Sequence, residues 1–166
     1  MKKAVWSGVV AVAAVLVLSS SAFAQATANG SISVTANVAA KAKLTLGTAS
    51  ITFADADPDV TPTMTSSAVS IDVKTRTSGA GSVTLTVLAS GDLTSGSNTI
   101  GISNLTWTAT GSGFQAGTNN KTTAQTVGSW SASGSPSGTQ TLSLPNSWTY
   151  ATGTYTVTLN YTLTAP

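Results

Sequence analysis

The stretch GTYTVTLNYTLT, residues 153–164, decides the fold class. Tyr155, Val157, Leu159, Tyr161 and Leu163 occupy every second position, and threonine or asparagine fills each gap between them. Successive side chains of a pleated chain point to opposite faces, so this spacing predicts a strand with one aromatic and aliphatic face and one polar face. β-Branched and aromatic residues suit such a surface and disfavour a helix.

Working outward, the same period-two pattern recurs in weaker form. Ile32, Val34, Ala36 and Val38 alternate with Ser33, Thr35 and Asn37; Leu44 with Leu46, and Ile51 with Phe53, mark two shorter segments around a turn at Gly47. Val69, Ile71 and Val73, then Val83, Leu85 and Val87 after Gly79-Ala80-Gly81, read as a hairpin. Strands are expected at 99–103, 105–110, 123–130 and 139–144, with glycine-rich and polar loops at 111–120 and 131–138. Leu105, Trp107 and Ala109 share one face, which places Trp107 in the core. Nine or ten short strands and no helical periodicity predict an all-β sandwich or barrel. The segments are too short and too poor in aromatics for a transmembrane barrel, whose strands run to about 10 residues between aromatic girdles.

Residues 1–24 have the order of a secretory signal peptide: Lys2 and Lys3, an apolar run from Ala4 to Leu18, three serines, then Ala22-Phe23-Ala24 before Gln25. The apolar run is shorter than the roughly 20 residues of a spanning helix, so cleavage is expected rather than anchoring. Removing 24 of 166 residues leaves 142, read as a single domain over 25–166. Seven basic residues less Lys2 and Lys3 leave five, against five acidic ones. A neutral, charge-poor surface does not attract nucleic acid or anionic lipid and resists self-association poorly. The chain has no cysteine, so neither disulfides nor lipid attachment to a cysteine contributes, and the exported protein is released or held by other proteins, with no integral membrane segment after cleavage.

The inventory of reactive groups is short. The mature chain has no His, Cys or Glu, so catalysis would rest on five aspartates, and no catalytic residue, cofactor or metal site is assigned. Asp72 falls on an outward strand position and Asp92 in a glycine turn. Asp55, Asp57 and Asp59 have the spacing of the start of a calcium loop, but Val60 and Ser66 stand where such a loop needs Gly and Glu, and a proline-containing turn is expected instead. Trp130 and Trp148, which flank loops, are candidate glycan contacts.

Several of these pieces together resemble secreted fimbrial subunits of the spore-coat-protein-U type, the archaic chaperone and usher pilins. The likeness rests on the alternating segment Gly30 to Val38, the pair Ile51 and Phe53 after a turn, the strand Ser70 to Thr75, and the ending Ala151-Thr152-Gly153-Thr154-Tyr155 that leads into the final strand. Members of that family usually carry a disulfide in the first half, and this chain has none. The resemblance implies an immunoglobulin-like antiparallel sandwich that lacks its last strand and is completed by an N-terminal donor strand. It also implies a periplasmic or cell-surface location and a chaperone and usher as assembly partners. On this reading Ile32, Val34, Ala36 and Val38 fill a groove lined in part by Tyr155, Val157, Leu159, Tyr161 and Leu163. A head-to-tail contact of that kind does not close and builds a polymer. The alternative is a monomeric extracellular carbohydrate-binding or adhesion module.

The exported protein is expected to begin at Gln25, which intact mass or N-terminal sequencing checks; extracellular material still carrying Lys2 and Lys3 would contradict the assignment.

Overall fold

The computed structural model describes residues 27–79 and 81–166; the signal peptide expected over 1–24 lies outside them. Its contacts divide the chain into two units, Met1–Ala36 and Asn37–Pro166. In the first, the described residues 27–36 form neither helix nor strand, and Ile32 and Val34 are 91% and 87% exposed.

The second unit is an all-β, immunoglobulin-like antiparallel sandwich. One sheet places β1 (Lys41–Leu46), β3 (Val69–Arg76), β10 (Ser137–Pro145), β7 (Thr106–Thr110) and β8 (Gly117–Thr118) side by side, and β2 (Thr63–Thr65) also pairs with β10. The facing sheet has the order β11 (Leu159–Thr164), β4 (Ser82–Ala89), β9 (Gln125–Ser131). A small hairpin of β5 (Leu93–Ser95) and β6 (Asn98–Ile100), followed by a 3₁₀ turn at Ile102–Asn104, lies at one end. Among the described residues no helix is long and apolar enough to cross a membrane.

The core follows directly from the period-two pattern. Ile71 and Val73 of β3, Val83, Leu85 and Val87 of β4, Trp107 of β7, and Leu142 and Leu144 of β10 are buried, while Asp72, Lys74 and Thr108 between them are exposed. Trp107 is in the core as its phase predicts, and its indole N–H, which burial would otherwise leave without a partner, donates to the Gln115 carbonyl at 2.8 Å. Tyr155 donates its hydroxyl to the carbonyl of Ala151 at 2.9 Å, four residues upstream. A tyrosine hydroxyl bonded back to the main chain a few residues upstream has the form of the tyrosine corner of immunoglobulin-like domains.

Three expectations are corrected. The runs at 69–73 and 83–87 do not form a hairpin: β3 pairs with β1 and β10 in one sheet, and β4 with β11 and β9 in the other. Alternation specifies which face of a strand is buried but not which neighbour its edge takes, so a crossover between sheets and a hairpin leave the same pattern. The segments at Ile32 to Val38 and at Ile51 to Phe53 form no strand. Phe53 still packs against the core, so its apolar character serves a loop anchor. The final strand is shorter than its pattern: only Leu159–Thr164 pairs continuously, and Thr156 makes an isolated bridge to Thr94.

β2 and β3 run along the same side of β10, interrupted at Ser66. Ser66 is buried and bridges the interruption: its N–H donates to the Leu142 carbonyl at 2.9 Å, and its Oγ accepts the Leu142 N–H at 3.0 Å. Ser66→Ala leaves that buried N–H without a partner and is expected to cost about 1–3 kcal/mol, read as a lower urea midpoint at unchanged slope.

Candidate functional site

The two sides of the sandwich are finished differently. On the β8/β9 side the sheets are joined by main-chain hydrogen bonds: the Gln115 N–H donates to the Val127 carbonyl at 2.8 Å, and the Ser129 N–H to that of Gly113 at 2.9 Å. A bulge in β9, where the register against β4 shifts between Leu85 and Thr86, turns the strand toward this junction. Trp130 caps it. Its ring meets Phe114 edge-on at 4.9 Å and lies over Gly128, where a Cβ would come within 2.4 Å of the indole, and its Nε1 donates to Ser112.

On the opposite side, β1 ends one sheet and β11 ends the other. The edges adjoin but do not pair, and no strand among the described residues covers either. The N–H of Ser90 donates to the Thr158 carbonyl at 2.8 Å, which fixes the phase of the β11–β4 ladder. In an antiparallel ladder bonded and non-bonded residues alternate, so the main-chain groups of Leu159, Tyr161 and Leu163 point away from β4. The same argument applies to β1. The Gly47 N–H donates to Ser70, and the main-chain groups of Ala42, Leu44 and Leu46 therefore point away from β3. Both edges thus present open hydrogen-bonding groups on the same side of the sandwich.

The core-facing apolar side chains along these edges are only half covered. Tyr155, Val157, Leu159, Tyr161 and Leu163 alternate with exposed neighbours as their sequence predicts, but each is half-buried, whereas Val83, Leu85 and Val87 on the adjacent β4 are fully buried. Leu44 and Leu46 on β1 are also half-buried and pack against the same core. The Tyr155 to Leu163 row thus lies along one sheet edge, and Leu44 and Leu46 of β1 along the adjoining one. Leu44 and Leu46 were recognisable as strand residues, yet nothing local distinguishes a pair on a sheet edge from any other core-facing pair.

One polar contact lies beneath this row. Gln140 of β10 is 1% exposed, and its Oε1 accepts a hydrogen bond from the Tyr161 hydroxyl across the core; its Nε2 is buried without a partner. Such a cross-sheet polar pair has no signature in a strand pattern.

The remaining candidates are dispersed. Trp130 pairs with Val83 at one end of β4, whereas Leu159 pairs with Ala89 at the other, roughly 20 Å away at about 3.3 Å per residue. Trp130 therefore belongs to the sealed side and not to the surface that carries Trp148. Trp148 is 70% exposed, and its Nε1 donates to Asp59 Oδ1 at 3.1 Å. Asp57 Oδ1 accepts the Asp59 N–H at 2.9 Å, and the Val60 and Thr61 N–H groups donate to the Asp57 carbonyl, which is the turn expected for residues 55–59. Asp92 does more than shape its own turn. It accepts from Lys121 Nζ at 2.6 Å and from the Ile102 N–H at 3.0 Å, and these bonds hold its carboxyl below the usual range. No protein-family model matches the chain, and no curated protein matches it.

Burial pushes the Tyr161 hydroxyl up to about 12 from an ordinary value near 10. Above pH 10 the unfolded chain loses this proton while the folded chain keeps it, so the contribution is fully present below pH 10 and is lost as pH rises toward 12. The slope is about 1.4 kcal/mol per pH unit. Tyr161→Phe is expected to remove this alkaline dependence from the urea-unfolding free energy, while costing about 1–3 kcal/mol at neutral pH by stranding the Gln140 amide.

Proposed function

We propose that the protein is a secreted structural subunit of a surface fibre or coat, and that its copies join by strand complementation. The observation that supports this reading is the asymmetry of the sandwich: one side is joined by main-chain hydrogen bonds, and the other has two facing strand edges with half-covered apolar side chains. Open edges of this kind are templates for an added strand. The occupant proposed is the segment Ile32 to Val38 of a neighbouring copy, which alternates in sequence, forms no strand in its own chain, and has Ile32, Val34 and Val38 exposed. Ala36 is the small member of its row.

Magnitudes favour a contribution from both side chains and main chain. Burying Ile32, Val34 and Val38 gains about 1.5–3 kcal/mol each, whereas association alone costs about 4–15 kcal/mol. The hydrophobic term therefore roughly offsets that cost, and a net affinity has to come from the ladder on one or both edges, at about 0.5–1.5 kcal/mol per hydrogen bond. Because the donor segment and the groove are different surfaces of one subunit, the contact is heterologous and continues into a filament. Export by way of Lys2 to Ala24 and assembly outside the cytoplasm, with a chaperone to cover the groove before assembly, belong to the same proposal.

Val34→Asp puts an unpaired charge into the groove and is expected to cost several kcal/mol and leave the exported protein monomeric, whereas Thr35→Asp, on the polar face of the same segment, leaves assembly intact. Sedimentation of the three exported proteins checks this. A wild-type chain that stays monomeric at high concentration, or a Val34→Asp chain that assembles equally well, would contradict the reading.

A further inference from the structure

A cleft of about 840 Å³ opens at the β5/β6 end of the sandwich, between the loop that carries residues 51–58 and the loop that carries residues 146–156. Its lining includes four aromatic residues, Phe53, Trp148, Tyr150 and Tyr155, together with Asp55 and Asp57. Among the described residues no Lys or Arg lines it.

Three features separate this cleft from ordinary loop packing. Trp148 is 70% exposed, so its area is not used in the fold, yet its indole is fixed by the hydrogen bond to Asp59. The two loops are also tied to each other: Asn146 Nδ2 donates to the Ala56 carbonyl at 2.9 Å and to that of Thr61 at 3.1 Å, and its N–H donates to Pro62 at 2.9 Å. Tyr155 is held by its bond to Ala151. Rigid, partly exposed aromatic rings with hydrogen-bond acceptors beside them form a prearranged site, in which little side-chain entropy remains to be lost on binding.

We propose that this cleft binds a neutral oligosaccharide. The C–H face of a pyranose is apolar and matches the aromatic side chains of Trp148 and Tyr150, while its hydroxyl groups are donors that suit the acceptor-only carboxylates of Asp55 and Asp57. The absence of a cation from the lining, together with the two carboxylates, selects against phosphate, sulfate and uronate groups. The site does not depend on the fibre reading, because it uses the end of the sandwich and requires no second copy.

The test is calorimetric titration of the full exported chain with cellohexaose, mannohexaose and chitohexaose, with polygalacturonate as the anionic control. At least one neutral hexamer is expected to bind saturably, with affinity reduced about tenfold or more in Trp148→Ala and in Asp55→Ala, and polygalacturonate to give no heat of binding. Thermal melts check that both variants are folded. Val34→Asp is expected to keep wild-type sugar affinity, so a failure of assembly and a failure of this site are told apart. Absence of binding to all three hexamers, a preference for polygalacturonate, or unchanged affinity in folded Trp148→Ala would overturn the proposal.

Discussion

Main-chain hydrogen-bonding groups at a sheet edge need a partner, and the molecule meets that requirement on one side of its sandwich only. Where β9 meets the segment 113–115, two hydrogen bonds and the Trp130–Phe114 contact join the sheets. Where β1 meets β11, the ladders stop. The half-burial of Leu44, Leu46 and the Tyr155 to Leu163 row follows from that difference, because a core-facing residue on an uncovered edge keeps one flank open. Strand composition does not explain it. Leu85 and Val87, on the neighbouring strand with the same alternation, are fully buried.

The open side and the end cleft place two different demands on the final segment. Residues 159–164 provide the edge, and residues 150–156 turn the chain into it while lining the cleft. The tyrosine corner at Tyr155 stands at the junction and fixes both. Continuous pairing with β4 begins only at Leu159, although the alternation begins at Tyr155. The first half of the pattern therefore holds side chains in place without a continuous ladder behind it.

How much of this was legible in the sequence follows from what each pattern encodes. Period-two alternation encodes which face is buried, and it placed Val69 to Val73, Val83 to Val87 and Trp107 correctly. It carries no information about lateral neighbours, so the crossover between β3 and β4 read as a hairpin, and Ile32 to Val38 read as a strand although no partner for it exists within the described ladders. The alternation of Tyr155 to Leu163, half-buried at every second position, was legible. The approach of β1 to β11 and the Gln140–Tyr161 pair depend on contacts between residues that the chain separates widely. Trp148 was identifiable as a loop aromatic, whereas its grouping with Phe53 and Tyr150 required the fold.

The central claim is that the free edge of β11 is completed by a strand from another copy. Amide hydrogen exchange at Leu159, Tyr161 and Leu163 tests it most directly, with Asn160 and Thr162, whose amides face β4, as internal references. The account predicts fast exchange at the three odd-numbered amides in dilute monomer and protection comparable to the references in assembled material. Odd-numbered amides that remain fast in the assembled state, or that are already protected in the monomer, would contradict it.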